Sequence, residues 1–215
     1  MKDINKFIDH TMLKSDATEN EIRNLCEEAI KYDFASVCVN PCHVKLSKSL
    51  LKGTDVKVCT VIGFPLGANT SECKVFETEN AFLNGCDEFD MVINVGALKD
   101  GNYSLIKDEI TAVIAAAKGK CVKVIVESAL LEENELAKIT RTVCECKADY
   151  IKTCTGFTGG VATKEAVKIM KENLSGKTKI KASAGIRDYK KAKELIDSGA
   201  DRIGTSSGCK IMEEF

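Results

Sequence analysis

Two lysines lie in segments that otherwise have the composition of buried β-strands. Lys152 stands in Tyr150-Ile-Lys-Thr-Cys154 and Lys181 in Lys179-Ile-Lys-Ala-Ser183, and small residues follow each segment. A buried ammonium group is costly unless it is paired or loses its proton, and the neutral amine that results is a nucleophile. Two such lysines on neighbouring strands should repel each other, so we expect at least one pKa to fall below the ordinary value of about 10.4. The pair predicts an enzyme that forms a Schiff base on a lysine.

The elements that must position these lysines recur along the whole chain. Eight segments rich in β-branched residues alternate with amphipathic stretches that have helical periodicity. The first amphipathic stretch begins at a capping box formed by Thr18 and Glu21, and a later one begins at Asp188 and stops at Gly199. We predict the eight strands at residues 7–11, 36–40, 56–64, 88–94, 122–127, 150–153, 179–183 and 202–205.

A weak internal repeat indicates that these units are equivalent. Cys86-Asp-Glu-Phe-Asp90, Ala148-Asp-Tyr-Ile-Lys152 and Ala200-Asp-Arg-Ile-Gly204 each begin a strand with a small residue and an aspartate. Eight β/α units without a composition break predict an α/β protein in which residues 1–215 form one domain, a (β/α)8 TIM barrel. The alternative is a doubly wound open sheet, which would not explain polar residues at the carboxyl ends of so many strands.

Side-chain alternation along the predicted strands places further charged residues beside the two lysines. If Lys152 and Lys181 point into the barrel, the same alternation brings in one set of polar side chains: Asp9, Thr11, Glu88, Asp90, Lys123 and Glu127. This interior is too polar for a barrel filled for packing alone, which prefers Val, Ile and Leu. The structural alternative is that the lysines extend to the rim. Two lysines with Asp90 between them favour a functional site.

The loops after the last two predicted strands have the composition of a phosphate site. Ser183-Ala-Gly-Ile-Arg187 leads into a helix, and Gly204-Thr-Ser-Ser-Gly208 ends the eighth strand. Barrels often bind phosphate after strands seven and eight, through backbone N–H groups and a helix N-terminus. We therefore predict that Gly185, Gly204, Ser206 and Ser207 bind a phosphate group. Gly156, which follows Lys152, could add a further backbone contact.

Composition excludes several other classes of function. The 215 residues include 31 Lys and Arg against 32 Asp and Glu, so the net charge of −1 favours neither nucleic acid nor a membrane surface as a partner. No apolar run reaches transmembrane length, and the first residues lack the apolar stretch of a signal peptide. We expect a cytoplasmic protein. We also expect a homo-oligomer, a dimer or a tetramer, although helix faces do not identify the interface.

The eleven cysteines are scattered, and most lie in apolar segments. The chain has no Cys-X-X-Cys pair and only two histidines, so the spacing does not favour a zinc site. We interpret the cysteines as small buried hydrophobic residues in a reducing compartment. Cys154 lies two residues beyond Lys152 and could be a reactive thiol, but packing is the favoured interpretation.

Eight motifs, taken in order over nearly the whole chain, resemble the deoxyribose-phosphate aldolase family. They are Ile8-Asp-His-Thr11, Val37-Cys-Val-Asn-Pro41, Val61-Ile-Gly-Phe-Pro-Leu-Gly-Ala68, Phe89-Asp-Met-Val-Ile-Asn-Val-Gly96, Lys123-Val-Ile-Val-Glu127, Ile151-Lys-Thr-Cys-Thr-Gly-Phe157, Lys181-Ala-Ser-Ala-Gly-Ile-Arg187 and Arg202-Ile-Gly-Thr-Ser-Ser207. The chain departs from many members at Ala184-Gly185, where they have Gly-Gly.

The resemblance implies a (β/α)8-barrel class I aldolase that uses neither a metal nor another cofactor. Its substrate would be a phosphosugar, 2-deoxy-D-ribose 5-phosphate, which the family cleaves to acetaldehyde and D-glyceraldehyde 3-phosphate in deoxyribonucleotide and carbohydrate catabolism. The family's Schiff-base lysine corresponds to Lys152, its second lysine to Lys181 and its proton-relay aspartate to Asp90.

Two other kinds of protein remain possible interpretations of the same residues. One is a phosphosugar isomerase or cyclase that uses Asp90 as a base without a covalent step, although such an enzyme has no use for two facing lysines. The other is a barrel without catalytic activity that binds phosphorylated metabolites as a sensor. Only an aldolase should form a stable alkyl adduct when borohydride reduces it in the presence of acetaldehyde.

Overall fold

Eight parallel strands form a closed barrel in the computed structural model, which describes residues 4–215. Each strand pairs with the next in the chain, and β8 pairs with β1, so the closed barrel is confirmed against the open sheet. The strands are β1 (Ile8–Met12), β2 (Ser36–Val39), β3 (Lys57–Ile62), β4 (Glu88–Val92), β5 (Cys121–Ile125), β6 (Tyr150–Lys152), β7 (Lys179–Ser183) and β8 (Arg202–Thr205).

Helices follow the strands and cover the outside of the barrel. They are α1 (Glu19–Tyr32), α2 (Val44–Leu50), α3 (Ser71–Leu83), α4 (Val95–Lys99), α5 (Tyr103–Ala116), α6 (Glu133–Glu145), α7 (Lys164–Asn173), α8 (Tyr189–Ser198) and α9 (Gly208–Glu213). The capping box of Thr18 and Glu21 is present at α1, and the Asp188 side chain caps α8. None of the helices within residues 4–215 combines the length and the apolar character needed to span a bilayer.

The strand register brings the predicted chemical residues side by side. Lys152 is the Cα partner of Lys181 across β6 and β7, and Asp90 is the partner of Lys123 across β4 and β5. Their strand neighbours face the helices, and fully buried apolar side chains such as Ile151 fill that outer layer. Alternation along these strands is therefore confirmed, and it points a row of charged side chains toward the barrel axis.

The prediction for the end of the fifth strand was wrong. β5 ends at Ile125, and Glu127 lies beyond it with a left-handed backbone (φ 52°), so strand alternation does not reach Glu127. The carboxylate is buried nonetheless, where it accepts hydrogen bonds from the backbone N–H and the hydroxyl of Thr155. Glu127 thus braces the loop that follows β6 and is not part of the row of charges inside the barrel.

Candidate active site

Seven charged side chains meet inside the barrel, linked by nitrogen–oxygen distances of 4.0 Å or less. We call this group the charged cluster; its cations are Lys123, Lys152, Lys181 and Arg202, and its carboxylates are Asp9, Glu88 and Asp90. All except Arg202 are almost completely buried, so solvent does little to screen them. Every member except Arg202 belongs to the interior set predicted from the sequence.

Asp90 lies at the centre of the charged cluster and joins the two predicted lysines. Its Oδ2 accepts hydrogen bonds from Lys152 Nζ at 2.7 Å and from Lys181 Nζ at 2.6 Å. Its Oδ1 accepts from Lys123 Nζ at 2.9 Å. Burial alone would raise the pKa of Asp90, but the charges of the three lysines hold that pKa well below its usual range. Asp90 is therefore a carboxylate placed within reach of both predicted lysines.

Lys181 is held as an ammonium group by two carboxylates. Burial alone would lower the pKa of Lys181, but Asp9 and Asp90 both contact its Nζ and raise that pKa above its ordinary value. At Lys181 the attraction of these two carboxylates outweighs both burial and the repulsion from Lys123. The structure thus provides a permanent cation beside Lys152.

The charged cluster contains more cations than carboxylates. Within residues 4–215 its four basic side chains meet three acidic ones, which leaves a formal charge of +1 if all seven are ionised. An uncompensated buried charge is expensive. Loss of a single proton from one lysine would balance the cluster, and Lys152 contacts only one carboxylate in it, Asp90. Lys152 is thus a lysine with a single carboxylate partner in a cluster that holds one cation in excess.

A cavity of about 480 Å³ opens above Lys152 at the carboxyl ends of the strands. Its wall includes four of the five residues predicted to bind substrate: Gly156, Gly185, Gly204 and Ser206. The fifth, Ser207, is not among the lining residues, and its backbone N–H donates to the Thr205 hydroxyl at 2.9 Å. Arg187 and Lys14 also line the cavity and bring positive charge to its rim. The cavity thus joins a lysine amine to donor-rich loops after β7 and β8.

Two residues of these loops have constrained geometry. A Cβ atom built on Gly204 would lie 2.9 Å from Ser183 Cβ and 3.1 Å from Lys181 Cε, so glycine is required there by the packing of Lys181. Ala184 has φ 80°, a left-handed conformation that costs a residue with a Cβ atom about 1–2 kcal/mol. The departure from Gly-Gly thus stores backbone strain in the wall of the cavity.

Sequence reasoning missed two members of this interior. Arg202 binds Asp9 Oδ1 at 2.7 Å, and alternation from Gly204 on the same strand could have revealed it. Cys59 was counted among the small hydrophobic residues, yet its thiol lies 3.2 Å from Asp90 Oδ1. The sequence around Cys59 gave no sign of this contact, because a cysteine in an apolar strand looks the same whether or not a carboxylate faces it.

The remaining cysteines agree with the packing interpretation or lie at the surface. Cys154 is buried, contacts the Ser128 hydroxyl at 3.4 Å, and has its pKa raised by burial, so it has the features of a packing residue. Potential metal-ligating atoms approach one another in the sets Cys38–Cys59–Asp90, Asp9–Cys59–Glu88 and His10–Glu28–Cys209. The carboxylates of the first two sets already bind ammonium or guanidinium groups, which fits an ion-pair network better than a cation site.

Comparison with known proteins agrees with this geometry. Residues 4–214 match the model of the DeoC/LacD family aldolases. A deoxyribose-phosphate aldolase of Clostridium tetani is 55% identical over 213 residues, which cover 99% of each chain. One of a Geobacillus species is 57% identical over 98% of this chain and 95% of its own. A solved tetrameric deoxyribose phosphate aldolase of Aeropyrum pernix is 32% identical, has a TM-score of 0.90, and matches over 98% of this chain and 89% of that one.

The family model and the relatives extend over nearly the whole chain, as do the eight motifs that first indicated the resemblance. These matches confirm the prediction that the chain is an aldolase, a lyase that breaks carbon–carbon bonds. The chain belongs to the DeoC/LacD family of aldolases.

Proposed function

We propose that this protein reversibly cleaves 2-deoxy-D-ribose 5-phosphate to D-glyceraldehyde 3-phosphate and acetaldehyde through a Schiff base on Lys152. The observation that carries the proposal is the position of the Lys152 amine. It lines the 480 Å³ cavity, contacts Asp90 Oδ2 at 2.7 Å, and belongs to a cluster that holds one cation in excess. The names of the relatives support the same substrate.

In the proposed reaction, the neutral Lys152 amine adds to C1 of the open-chain sugar, and loss of water gives an iminium ion. The hydroxyl at C3 then gives up its proton, the C2–C3 bond breaks, and its electron pair moves toward the iminium nitrogen to form an enamine. D-Glyceraldehyde 3-phosphate leaves. A proton returns to C2, and water hydrolyses the new iminium ion to release acetaldehyde and the free amine.

The two partners of Lys152 have different roles in this proposal. Asp90, whose Oδ2 contacts both lysines, carries protons to and from the substrate as a general acid and base, directly or through water. Lys181 supplies a fixed positive charge that opposes protonation of the neighbouring amine. Because Asp9 and Asp90 keep Lys181 protonated, it is unsuited to act as a second nucleophile.

The substrate's phosphate group would bind at the rim of the cavity, at the loops after β7 and β8. Gly156, Gly185, Gly204 and Ser206 line the cavity and could contribute backbone N–H groups and a hydroxyl. The cations Arg187 and Lys14 are placed on the same wall, and they suit a phosphate dianion. Arg187 lies at the end of the loop after β7, and its position on the wall supports an assisting role in phosphate binding.

We also propose that the chain assembles into a homo-oligomer, because the Aeropyrum pernix relative is tetrameric. Exposed apolar side chains on α3 are suited to contact another subunit; Phe76 and Leu83 are the largest of them. Analytical ultracentrifugation tests this part of the proposal. A species with the mass of one 23.4 kDa chain at micromolar concentration would contradict it.

Borohydride reduction in the presence of acetaldehyde tests the catalytic proposal. A Schiff base on Lys152 is reduced to a stable ethyl-lysine, and peptide mapping should find the ethyl group at that position. An isomerase, a cyclase or a metabolite sensor with the same fold should gain no adduct. A label on Lys181 or Lys123 without one on Lys152 would overturn the assignment of the nucleophile, and turnover of 2-deoxy-D-ribose 5-phosphate should accompany labelling.

A further inference from the structure

The two oxygens of Asp90 bind different partners. Oδ2 faces Lys152 and Lys181, the lysines with proposed roles in the reaction. Oδ1 accepts from the Cys59 thiol at 3.2 Å and from Lys123 Nζ at 2.9 Å. Cys59 and Lys123 are both completely buried and lie on β3 and β5, the two strands that flank β4. The carboxylate is therefore held from both sides through the oxygen that does not face the reacting lysine.

The thiol is placed to act as a donor. Cys59 is the Cα partner of Glu88, two residues before Asp90, so its side chain approaches Oδ1 from the amino end of the barrel. Burial first, then the contact with Cys38 and the charge of Asp90, raise the pKa of Cys59 well above its ordinary value. The sulfur thus keeps its proton, and a protonated thiol beside a carboxylate can donate to it.

We propose that Cys59 is a positioning residue for the aldol cleavage: its thiol, together with Lys123, fixes Asp90 Oδ1 so that Oδ2 keeps the orientation needed for proton transfer. This inference rests on the proposed function, in which Asp90 moves protons for the Schiff base on Lys152. General acid–base catalysis depends on such alignment, because a proton moves only over hydrogen-bond distances.

Cys59 is a better test of this idea than Lys123. Lys123 also binds Glu88 at 2.6 Å and lies 3.6 Å from Asp9, so its removal would leave several buried carboxylates short of a partner. Removal of the neutral thiol takes away no formal charge, and the charged groups that face Asp90, namely Asp9, Lys123, Lys152 and Lys181, all remain. Cys38 loses the contact with Cys59 that lowers its pKa. A loss of activity would then report on the hydrogen bond.

The experiment compares Cys59→Ala, Cys59→Ser and the wild-type protein, with Cys26→Ala as a matched control. Cys26 is a buried thiol on α1, outside the barrel interior. The first readout is the rate at which deuterium from D2O enters the methyl group of acetaldehyde, followed by proton NMR. This exchange needs both the Schiff base and proton transfer at C2. The others are kcat and KM for 2-deoxy-D-ribose 5-phosphate, all normalised to borohydride-trapped Lys152.

We expect Cys59→Ala to lower the exchange rate and kcat about 10-fold, within the range that misplaced catalytic groups produce. KM should stay within about twofold, because the phosphate loops are untouched, and Cys26→Ala should match wild type. Cys59→Ser retains a hydroxyl donor, so its rate should lie closer to that of the wild type than to that of Cys59→Ala on a logarithmic scale. If Cys59→Ala does not fold, Cys59→Val replaces it, since valine has a similar volume and no donor.

Two results would overturn the inference while leaving the proposed function intact. One is a wild-type exchange rate in Cys59→Ala, or in Cys59→Val where that variant replaces it. The other is an equal loss in Cys59→Ser and Cys59→Ala, which would show that sulfur packing and not the donor matters. A wild-type protein that neither exchanges deuterium nor traps acetaldehyde would instead overturn the proposed function itself, and the role of Cys59 with it.

Discussion

Two buried sites in this protein contain lysine, and they differ in the balance of positive and negative charges. Outside the barrel, Lys74 of α3 binds Glu109 of α5 at 2.6 Å, and neither side chain is more than 1% exposed. The second oxygen of Glu109 accepts from the backbone N–H of Asn94, so each carboxylate oxygen has a donor. Inside the barrel, the charged cluster places four cations against three carboxylates among residues 4–215.

The difference separates a structural ion pair from a chemical one. The Lys74–Glu109 pair has one cation, one anion and a donor on each carboxylate oxygen, so it carries no net charge, and it braces the loop after β4. A cluster with an excess cation can lower its free energy by releasing a proton, which leaves an amine able to attack a carbonyl group. Burial alone therefore does not mark a candidate catalytic lysine, whereas burial in a cluster with more cations than carboxylates does.

The largest expected effect is a contrast between Lys152→Met and Lys74→Met. Lys152→Met should lower kcat at least about 10⁴-fold, as loss of a covalent nucleophile does. Its unfolding free energy should change little, because Asp90 keeps Lys123 and Lys181 as partners. Lys74→Met leaves Glu109 buried and unpaired and should cost about 3–5 kcal/mol of stability. The folded fraction of that variant should keep wild-type kcat, measured beside urea unfolding.

A compensating change sharpens this contrast. Glu109→Gln added to Lys74→Met removes the unpaired charge and retains an oxygen that can accept from Asn94, so most of the lost stability should return. A catalytic defect in the double variant, at a temperature where it is folded, would show that the balanced pair is also part of the site. Wild-type activity in Lys152→Met would remove the basis for the comparison.

The second-largest effect is expected from removing Lys181, the lysine beside Lys152 that stays protonated. Lys181→Leu removes the ammonium group beside Lys152, so protonation of the reacting amine is no longer opposed. The acidic limb of the pH–rate profile should move up by about one pH unit, and kcat should fall about 100-fold. Because Asp9 and Asp90 raise the pKa of Lys181, this lysine stays charged near neutral pH, and its own titration does not shape the wild-type profile there. An unchanged profile in the variant would rule out this role.

A third, smaller effect should follow from crowding Lys181 without changing any charge. Gly204→Ala would place a Cβ atom 2.9 Å from Ser183 Cβ and 3.1 Å from Lys181 Cε, so β7 must shift at Ser183 and the lysine must move slightly with it. We expect kcat to fall about 10-fold on both 2-deoxy-D-ribose 5-phosphate and unphosphorylated deoxyribose. Gly96→Ala, at an exposed position in α4, is the control. A loss confined to the phosphorylated substrate would return Gly204 to the purely phosphate-binding role that the sequence suggested.

The sequence was sufficient for the barrel and for most members of the charged cluster, because both leave local signals. β-Branched segments end in small residues, and a lysine inside such a segment stands out, as Lys152 and Lys181 do. Alternation then places Asp90 with them. The fold could be predicted because strand and helix periodicities follow one another without interruption.

What the sequence did not reveal depends on contacts between distant residues. Lys181 binds Asp9, which lies 172 positions away in the chain, and that carboxylate helps to raise the pKa of Lys181. The Lys74–Glu109 pair joins two helices whose charged residues look like ordinary surface residues until helix packing buries them. Cys59 carries no charge that the sequence could reveal, so only the folded structure shows that its thiol contacts Asp90. Charge balance in a core is a property of packing, which strand periodicity does not specify.

The smallest expected effect comes from adding charge at the rim, where water screens it. Ser206 is exposed and lines the cavity, and Ser206→Asp places a carboxylate near the proposed phosphate position. Repulsion of a dianion at a few ångströms in a largely aqueous setting should raise KM for 2-deoxy-D-ribose 5-phosphate about 10-fold. Deoxyribose kinetics should change less than about twofold, because the buried charge balance around Lys152 is untouched. Ser175→Asp, at an exposed position before β7 and far from the cavity, controls for net charge. Equal losses on both sugars would show that rim charge reaches the cluster.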